Sequence, residues 1–326
     1  MEGGTNAQAS ESQAGFSLRP AMFQPQPSRH ARFRQTRVLI VGCGDVGQRA
    51  AQLLRPRCRV LALTSQAERV PALRAQGLVP LVGNLDDGRS LARLAGLATR
   101  VLHLAPPPSS GSQDPRTARL LQALARRGGV KSLVYGSTSG VYGDAGGAWL
   151  DETRTVQPAT DRGRRRVDAE ARLRWWGRQQ SPRWGTRVSL LRIPGIYALD
   201  REGGDPRERV RRGSPLLRPE DDVYTNHIHA DDLARSCVAA LWRGRPGRVV
   251  HVCDDTELRM GDYFDWVADH FGLPRAPRLS RAEAAQQLSP MQLSFMGESR
   301  RLRNQRLKAE LRVALRYPTI QEGLSV

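Results

Sequence analysis

The segment "TRVLIVGCGDVGQRAAQLL", residues 36–54, decides the fold. Its first residues form an apolar, β-branched run, which predicts a buried strand. Gly42, Gly44 and Gly47 then follow in a GxGxxG pattern, and helical spacing begins directly behind them. A glycine loop of this kind between a strand and a helix predicts the binding of a dinucleotide.

Each residue type in the loop serves a physical purpose. Gly42 permits a tight turn, Gly44 lets the backbone approach a pyrophosphate, and Gly47 lets helix and strand pack closely. Asp45 and Val46 complete the loop at the helix N-terminus, where free N–H groups and a partial positive charge favour phosphate. We expect these residues to hold a cofactor; a glycine-rich turn without a ligand is the alternative.

The end of the second apolar run, "CRVLALTSQ", indicates which dinucleotide binds. NAD-binding proteins place a carboxylate at this point to bind the 2′-hydroxyl group of the ribose. This chain has Thr64 and Ser65 instead, with Arg49 and Arg69 not far away in sequence. Because no carboxylate repels a 2′-phosphate, NADP(H) is favoured over NAD.

Strand-like and helix-like segments alternate through the first two thirds of the chain. This order predicts an α/β fold, a Rossmann-type doubly wound parallel sheet with a smaller C-terminal substrate lobe. We expect a disordered N-terminal arm at 1–35, the NAD(P)-binding domain at 36–200 and mainly the substrate lobe at 201–326, with a late strand at 248–253 returning to the sheet. The strand-like runs are "RVLIVG", "CRVLALT", "LVPLVGN", "RVLHLA", "SLVYGST", "RVSLLRI" and "RVVHVCD"; the helical segments are "VGQRAAQLL", "AERVPALRAQ", "DGRSLARLAG" and "RTARLLQALARR".

Composition and charge limit the class of protein. The net charge is +19, but only two of the 51 basic residues are lysines, and the arginines are spread along most of the chain. We therefore expect no specific nucleic-acid partner. No apolar run reaches the length of a membrane span, no secretory signal is recognisable, and the four cysteines have no metal-binding spacing. These features predict a cytoplasmic protein with reduced thiols and no metal site.

Two later segments carry weaker expectations. The polar, glycine-rich residues 198–222 are typical of a flap that covers a substrate, and their basic content indicates an anionic ligand. The leucine spacing of residues 299–318 predicts an amphipathic helix leading into an extended segment. In "HADDLA", Asp231 or Asp232 is well placed to cap the following helix.

Six ordered motifs resemble the short-chain dehydrogenase/reductase superfamily. They are the glycine loop, "VGNLDD", "HLAPPP", "YGSTSGVYGD", "VSLLRIPGIYALD" and "NHIHADDLARSCVAAL". The resemblance is to the extended branch, the NAD-dependent epimerase/dehydratase family. It implies that Asn84 and Leu85 pack against adenine, that Ala105 and Pro106 lie beneath the cofactor, and that the protein assembles as a homodimer.

The resemblance also implies positions for the chemistry. Thr138, four residues before the tyrosine of "VYG", corresponds to the hydroxyl that binds the reacting oxygen; a strand-end hydroxyl that satisfies nearby backbone is the alternative. Tyr142 itself is either a packing residue with a polar tip or a second catalytic candidate. Family enzymes carry a Tyr and, four residues later, a Lys on the helix after the fifth strand, where one face presents both.

In "DRGRRRVDAE", residues 161–170, the resemblance places Arg162 at the tyrosine position and Arg166 at the lysine position, with Glu170 fixing the register. Arg166 replaces the positive charge, but Arg162 cannot exchange protons near neutral pH. Either all four arginines of this run are solvated or paired, or Arg166 and Arg162 face the cofactor cleft.

These observations predict an atypical NAD(P)-dependent oxidoreductase or epimerase-like enzyme acting on a small, anionic substrate. The loss of the Tyr/Lys pair leaves two other hypotheses open. One is a non-catalytic NADP(H)-binding sensor or regulatory protein, and the other is a polyanion-binding protein.

Overall fold

The computed structural model describes Met1, Gly3 and residues 35–325. Residues 35–325 belong to one compact unit. Apart from Met1, Gly3 and Gln35, the arm predicted at 1–35 lies outside the described residues. None of the described helices is both long enough and apolar enough to cross a bilayer.

Strands and helices follow one another along this unit. The strands are β1 (Thr36–Val41), β2 (Cys58–Thr64), β3 (Val79–Val82), β4 (Arg100–His103), β5 (Ser132–Thr138), β6 (Trp149–Leu150), β7 (Arg187–Ile193), β8 (Gly195–Tyr197), β9 (Leu216–Leu217), β10 (Tyr224–Thr225), β11 (His227–His229), β12 (Arg248–His251), β13 (Leu258–Arg259), β14 (Arg278–Leu279) and β15 (Arg301–Leu302). The helices are α1 (Asp45–Leu54), α2 (Val70–Ala75), α3 (Pro115–Ala125), α4 (Asp161–Trp184), α5 (Pro206–Arg211), α6 (Ala230–Arg243), α7 (Met260–His270), α8 (Arg281–Gln287), α9 (Pro290–Met296), α10 (Gln305–Ala309) and α11 (Ile320–Leu324).

Seven strands form the central sheet in the order β12-β7-β5-β4-β1-β2-β3. Every neighbouring pair in this sheet is parallel. The order reverses between β1 and β4, where a doubly wound sheet opens a crevice at the carboxyl ends of its strands. The predicted α/β class and parallel sheet are confirmed.

The two faces of the sheet are covered by different helices. Alternate residues of β1 separate accordingly: Val38 and Ile40 belong to one core with α1 and α6, whereas Leu39 and Val41 belong to the other with α3 and α4. This division follows from the period-two geometry of a strand that is buried on both sides. Both α1 and α4, which carry the predicted site residues, are thereby fixed against the sheet.

The chain after residue 200 contributes to both parts of the molecule. Helix α6 packs on the sheet, and β12 pairs with β7 at its edge. Two smaller cores lie in the lobe formed by the remaining segments, one around Tyr263 and Val267 and the other around Leu216 and Met260.

Two predicted helices are much shorter in the structure. "DGRSLARLAG" forms only a 3-10 turn at Ala92–Leu94, because the Ser90 hydroxyl donates to the Asn84 and Asp87 carbonyls and competes with helical hydrogen bonding. The tail helix predicted within 299–318 is limited to α10. It ends before Arg312, whose φ of 53° lies in the left-handed region.

Candidate functional site

A cleft of about 310 Å³ opens at the carboxyl ends of β1, β5 and β7. It begins at the glycine loop and extends to the residues that follow β7, with α4 contributing one side chain. A crevice at this edge of a doubly wound sheet is the usual position of a ligand. Its lining residues are Gly42, Gly44, Asp45, Val46, Gly47, Leu104, Gly136, Ser137, Thr138, Arg166, Ile193, Pro194, Ile196, Arg201 and Leu233.

The three glycines of the loop have different surroundings. Gly42 has a φ of +87°, and a Cβ at this position would lie 2.3 Å from the backbone nitrogen of Ala105. A Cβ at Gly47 would lie 2.9 Å from the Gly42 carbonyl oxygen, whereas a Cβ at Gly44 would meet nothing within 4 Å. Gly42 and Gly47 are therefore required by the packing of the protein, and Gly44 leaves the cleft open beside the backbone.

The N-terminus of α1 faces this open space. Gly44 is its N-cap, and no side chain caps the helix. The Asp45 carboxylate instead pairs with Arg49, four residues later, and with Arg201 from the segment after β8. The backbone N–H groups of a ten-residue helix thus remain directed toward the position where a phosphate would bind.

Arg49 and Arg69, the two arginines near the end of β2 in sequence, differ in what they contact. The Arg49 guanidinium is held by the carboxylates of Asp45, Asp200 and Asp231. Arg69 donates a 2.8 Å hydrogen bond to the Cys43 carbonyl in the glycine loop, and no carboxylate between residues 35 and 325 forms an ion pair with it. Arg69, and not Arg49, therefore combines an unneutralised charge with contact to the loop.

Thr64 and Ser65, the two residues predicted to matter at the end of β2, differ in exposure. Thr64 is buried, and its hydroxyl accepts a hydrogen bond from the Gln66 backbone N–H. Ser65 is exposed. Thr64 therefore shapes the turn after β2, while the Ser65 side chain is accessible to a ligand.

Asn84 and Leu85, predicted to pack against adenine, and Ala105 and Pro106, predicted beneath the cofactor, are not among the residues that line the cleft. The Asn84 side-chain oxygen accepts from the Asp86 backbone N–H, and Leu85 is buried in the core beside α3. Ala105 donates its backbone N–H to Val41 and packs against Gly42, while Pro106 is exposed. Of these four residues, Ala105 therefore lies directly against the glycine loop.

The arginines at the start of α4 have four different environments. Arg166 lines the cleft and donates to the Gly136 carbonyl at 2.8 Å and to the Tyr135 hydroxyl at 3.0 Å. Arg162 lies outside the cleft lining with its guanidinium 4.5 Å from the centre of the Phe295 ring. Arg164 pairs with Asp161 at the surface, and Arg165 is buried and donates to the Gly111 carbonyl.

Thr138 and Tyr142 are separated although they belong to one motif. Thr138 lines the cleft, and its hydroxyl accepts from the Gly140 backbone N–H at the start of the 3-10 turn Ser139–Tyr142. Tyr142 is buried behind the cleft, where its hydroxyl contacts Arg192 and His251. Burial raises the pKa of Tyr142, and its buried position with these partners favours the packing alternative.

Behind Thr138 lies a buried ion pair that the sequence did not reveal. Glu170, at 1% exposure, accepts from Arg192 at 2.8 and 3.1 Å and from the Ser137 hydroxyl at 2.7 Å. Burial disfavours the charge of Glu170, but the Arg192 guanidinium and the Ser137 hydroxyl outweigh it and leave the pKa below its ordinary value. Arg192, which lies among apolar residues near the end of the buried strand β7, was the signal that a buried acid must face it.

The start of α6 also differs from its prediction. His229, rather than Asp231 or Asp232, caps the helix, because its Nδ1 atom accepts from the Asp231 backbone N–H. Asp232 accepts from the backbone N–H groups of Arg316 and Tyr317 and fastens the tail. Within the described residues, no three metal-ligating side chains are grouped.

Comparison with known proteins agrees with this architecture. The model of the TrkA-N domain matches residues 38–104, and no curated protein matches the sequence. A solved structure of a functionally unknown conserved protein from Silicibacter pomeroyi DSS is 31% identical, with a TM-score of 0.71, and the match covers 89% of this chain and 97% of that one. The chain belongs to the same family as that protein.

More distant structures have the same fold as this family. UDP-glucose 4-epimerase from Thermotoga maritima is 18% identical with a TM-score of 0.71, and the match covers 89% of this chain and 96% of the epimerase. A dTDP-glucose 4,6-dehydratase from Streptomyces venezuelae, solved with NAD bound, is 19% identical with a TM-score of 0.70, and the match covers 89% of this chain and 94% of the dehydratase. The family is therefore built on the fold of NAD-dependent epimerases and dehydratases.

Proposed function

We propose that this protein binds NADP(H), with NAD as the alternative, and acts as an oxidoreductase or epimerase-like enzyme on a small, anionic substrate. The observation that carries the proposal is the glycine loop: Gly42 and Gly47 are required by packing, while Gly44 leaves an open path to an uncapped helix N-terminus. A dinucleotide pyrophosphate fits these donors. The NAD bound in the dehydratase with this fold supports the same use of the cleft.

Arg69 supports the preference for NADP(H). It follows β2 in the chain, donates to the Cys43 carbonyl of the glycine loop and has no paired carboxylate within residues 35–325, and Ser65, four residues before it, is exposed. A 2′-phosphate would bind to this guanidinium through charge-assisted hydrogen bonds. NAD would lack that contact and would also lack the carboxylate that usually binds its 2′-hydroxyl group.

Residues at the other end of the cleft would act on the substrate. A bound nicotinamide would supply hydride transfer. The Thr138 hydroxyl would donate to the reacting oxygen, and Arg166 would stabilise negative charge there or bind the nicotinamide ribose. Arg162 cannot supply a proton, because its guanidinium stays charged near neutral pH.

The non-catalytic NADP(H)-binding alternative is favoured by one specific observation. The phenols nearest the cleft, Tyr135 and Tyr142, are both buried, and burial raises the pKa of Tyr135 to about 12. Neither is positioned to exchange a proton with a ligand. An enzyme would then have to use a hydroxyl such as that of Thr138 or a water molecule.

Cofactor titration of the wild type, Arg166→Ala and Arg164→Ala tests the proposal. Arg166→Ala should weaken NADPH binding about tenfold, equivalent to roughly 1.4 kcal/mol, whereas Arg164→Ala should bind like the wild type because Arg164 points to solvent. Absence of binding of both NADPH and NADH at high micromolar concentration contradicts the proposal. Oxidation of bound NADPH by any carbonyl substrate would exclude the non-catalytic alternative.

A further inference from the structure

Within residues 35–325, the Arg162 guanidinium has no polar partner. Among residues 35–325 it forms no hydrogen bond and no ion pair, and its only direct contact of note is the Phe295 ring at 4.5 Å. By contrast, Arg164 and Arg172 on the same helix pair with Asp161 and Asp168. A guanidinium stacked on an aromatic ring still presents its edge N–H groups, so Arg162 retains donors for a ligand.

Arg300 approaches the same place from the lobe. It donates to the Gly143 carbonyl at 2.8 Å and to Glu298 at 2.7 Å, and its Nε is buried without a hydrogen-bond partner. Its side chain is 12% exposed. Strand β15 pairs with β6 and aligns Arg301 with Trp149. This pairing fixes the neighbouring Arg300 against the segment that follows the VYG triplet.

Both arginines border the turn that follows Thr138. Gly163, next to Arg162, packs so closely on this turn that a Cβ there would lie 3.0 Å from the Gly140 carbonyl oxygen. Arg300 contacts Gly143 at the other end of the turn. Thr138 lines the cleft at the start of this turn, so the two guanidinium groups lie on the lobe side of the proposed reaction site.

Charge in this region is not balanced. Arg162 is exposed overall, but the partial burial of its guanidinium lowers its pKa; Glu298 opposes this effect, and the nearby Arg166, Arg300 and Arg165 add to it. Glu298 is already bonded to Arg300. Neighbouring cations with one acid between them repel one another, and an added anion would relieve that repulsion.

We propose that Arg162 and Arg300 form an anion-binding site that holds a carboxylate or phosphate group of the substrate. Both oxyanions match the planar fork of a guanidinium. This inference rests on the proposed function, since the anion belongs to the molecule that reacts beside Thr138. In this protein Arg162, which the resemblance places at the position of the usual tyrosine, then binds substrate instead of transferring a proton.

Calorimetric titration of the full-length protein tests the site. Inorganic phosphate and acetate are titrated separately into protein saturated with NADPH at constant ionic strength, so that the pyrophosphate site is filled and the two oxyanions are compared. Wild type should bind at least one of them. Arg162→Gln and Arg300→Gln should weaken that binding at least tenfold, while Arg164→Gln, which removes an equal charge from the same helix, should stay within twofold of wild type.

Binding that is absent from the wild type, or that falls equally in Arg164→Gln, overturns the inference and leaves only nonspecific electrostatics. If Arg300→Gln fails to fold, the test is the comparison of Arg162→Gln, at an exposed position, with Arg164→Gln. NADPH affinity is measured for every variant. If wild type binds neither NADPH nor NADH, the proposed function fails, and phosphate titration of the cofactor-free wild type, Arg162→Gln and Arg164→Gln still decides whether the anion site exists.

Discussion

The two ends of the cleft differ in whether backbone or side chains determine their shape. At the glycine-loop end, the shape depends on backbone: a positive φ at Gly42, an open side at Gly44 and an uncapped helix. At the α4 end, the surroundings of Thr138 depend on long side chains, chiefly Arg166, Glu170 and Arg192. Backbone geometry requires particular residues, whereas side-chain positions allow a different chemistry on the same fold.

This difference explains why the cofactor half keeps a recognisable pattern while the reactive half departs from it. A tyrosine can be replaced by Arg162 without disturbing the core, because that position is exposed. No such freedom exists at Gly42, where any Cβ would meet the backbone of the β4 loop. The comparison predicts that substitutions at the first end act on folding, and at the second end on charge and ligand binding.

Gly42→Ala should have the largest effect. Its Cβ would lie 2.3 Å from the Ala105 nitrogen at a φ of +87°, so we expect a loss of about 3 kcal/mol or more in the free energy of unfolding. Denaturant titration measures this loss. A destabilisation below about 1 kcal/mol would show that the loop can shift. It would contradict the claim that the backbone requires glycine at this position.

Gly44→Ala is the matched control for that prediction. Gly44 has a φ of −80°, and a Cβ would meet nothing within 4 Å. Stability should change by less than about 1 kcal/mol, while the methyl group, placed in the cleft, should lower NADPH affinity tenfold or more. The two variants thus separate folding from cofactor binding within one loop.

The sequence predicted this end of the cleft well because its determinants are local. A β-branched run, three glycines and helical spacing lie within residues 36–54. The α4 end was less predictable because its partners are distant: Glu170 meets Arg192 from the next strand, and Arg162 meets Phe295 of α9. Spacing along α4 placed Arg166 and Arg162 on one face, but it could not determine that only Arg166 lines the cleft.

Glu170→Gln tests the buried ion pair. The amide leaves the Arg192 guanidinium without its anionic partner in a buried site, and removal of one member of such a pair costs about 3 kcal/mol. Thermal or denaturant unfolding measures the loss. Asp161→Asn, which removes an exposed ion pair on the same helix, should change stability by less than about 1 kcal/mol; equal losses in both variants would contradict the distinction.

His251, behind Tyr142, gives a pH-dependent prediction. Burial lowers its pKa from 6.5 to about 3. Below pH 6.5 the unfolded chain therefore takes up a proton that the folded chain refuses, and wild type loses about 2 kcal/mol from this group between pH 7 and pH 5. The His251→Gln variant should not show this loss. The difference in free energy of unfolding between wild type and variant should therefore shrink by about 2 kcal/mol from pH 7 to pH 5.

Unfolding measurements at pH 7, 6 and 5 test whether wild type loses stability as the pH falls while His251→Gln does not. His270→Gln, at an exposed position in α7, should leave the pH dependence of wild type unchanged. A cost of His251→Gln that is constant with pH would mean that His251 titrates with the same pKa in the folded and the unfolded protein. The buried contacts among Tyr142, Arg192 and His251 would then need a different charge assignment.

Arg69→Ala should have the smallest effect. It tests whether Arg69 binds the 2′-phosphate of NADPH or supports the glycine loop. If Arg69 binds a 2′-phosphate, the substitution weakens NADPH binding about tenfold, roughly 1.4 kcal/mol, and leaves NADH binding unchanged. Arg74→Ala, an exposed arginine of α2, controls for net charge. Equal losses for both cofactors would instead mean that Arg69 acts through its bond to the Cys43 carbonyl, so that a side chain, and not backbone alone, supports the loop.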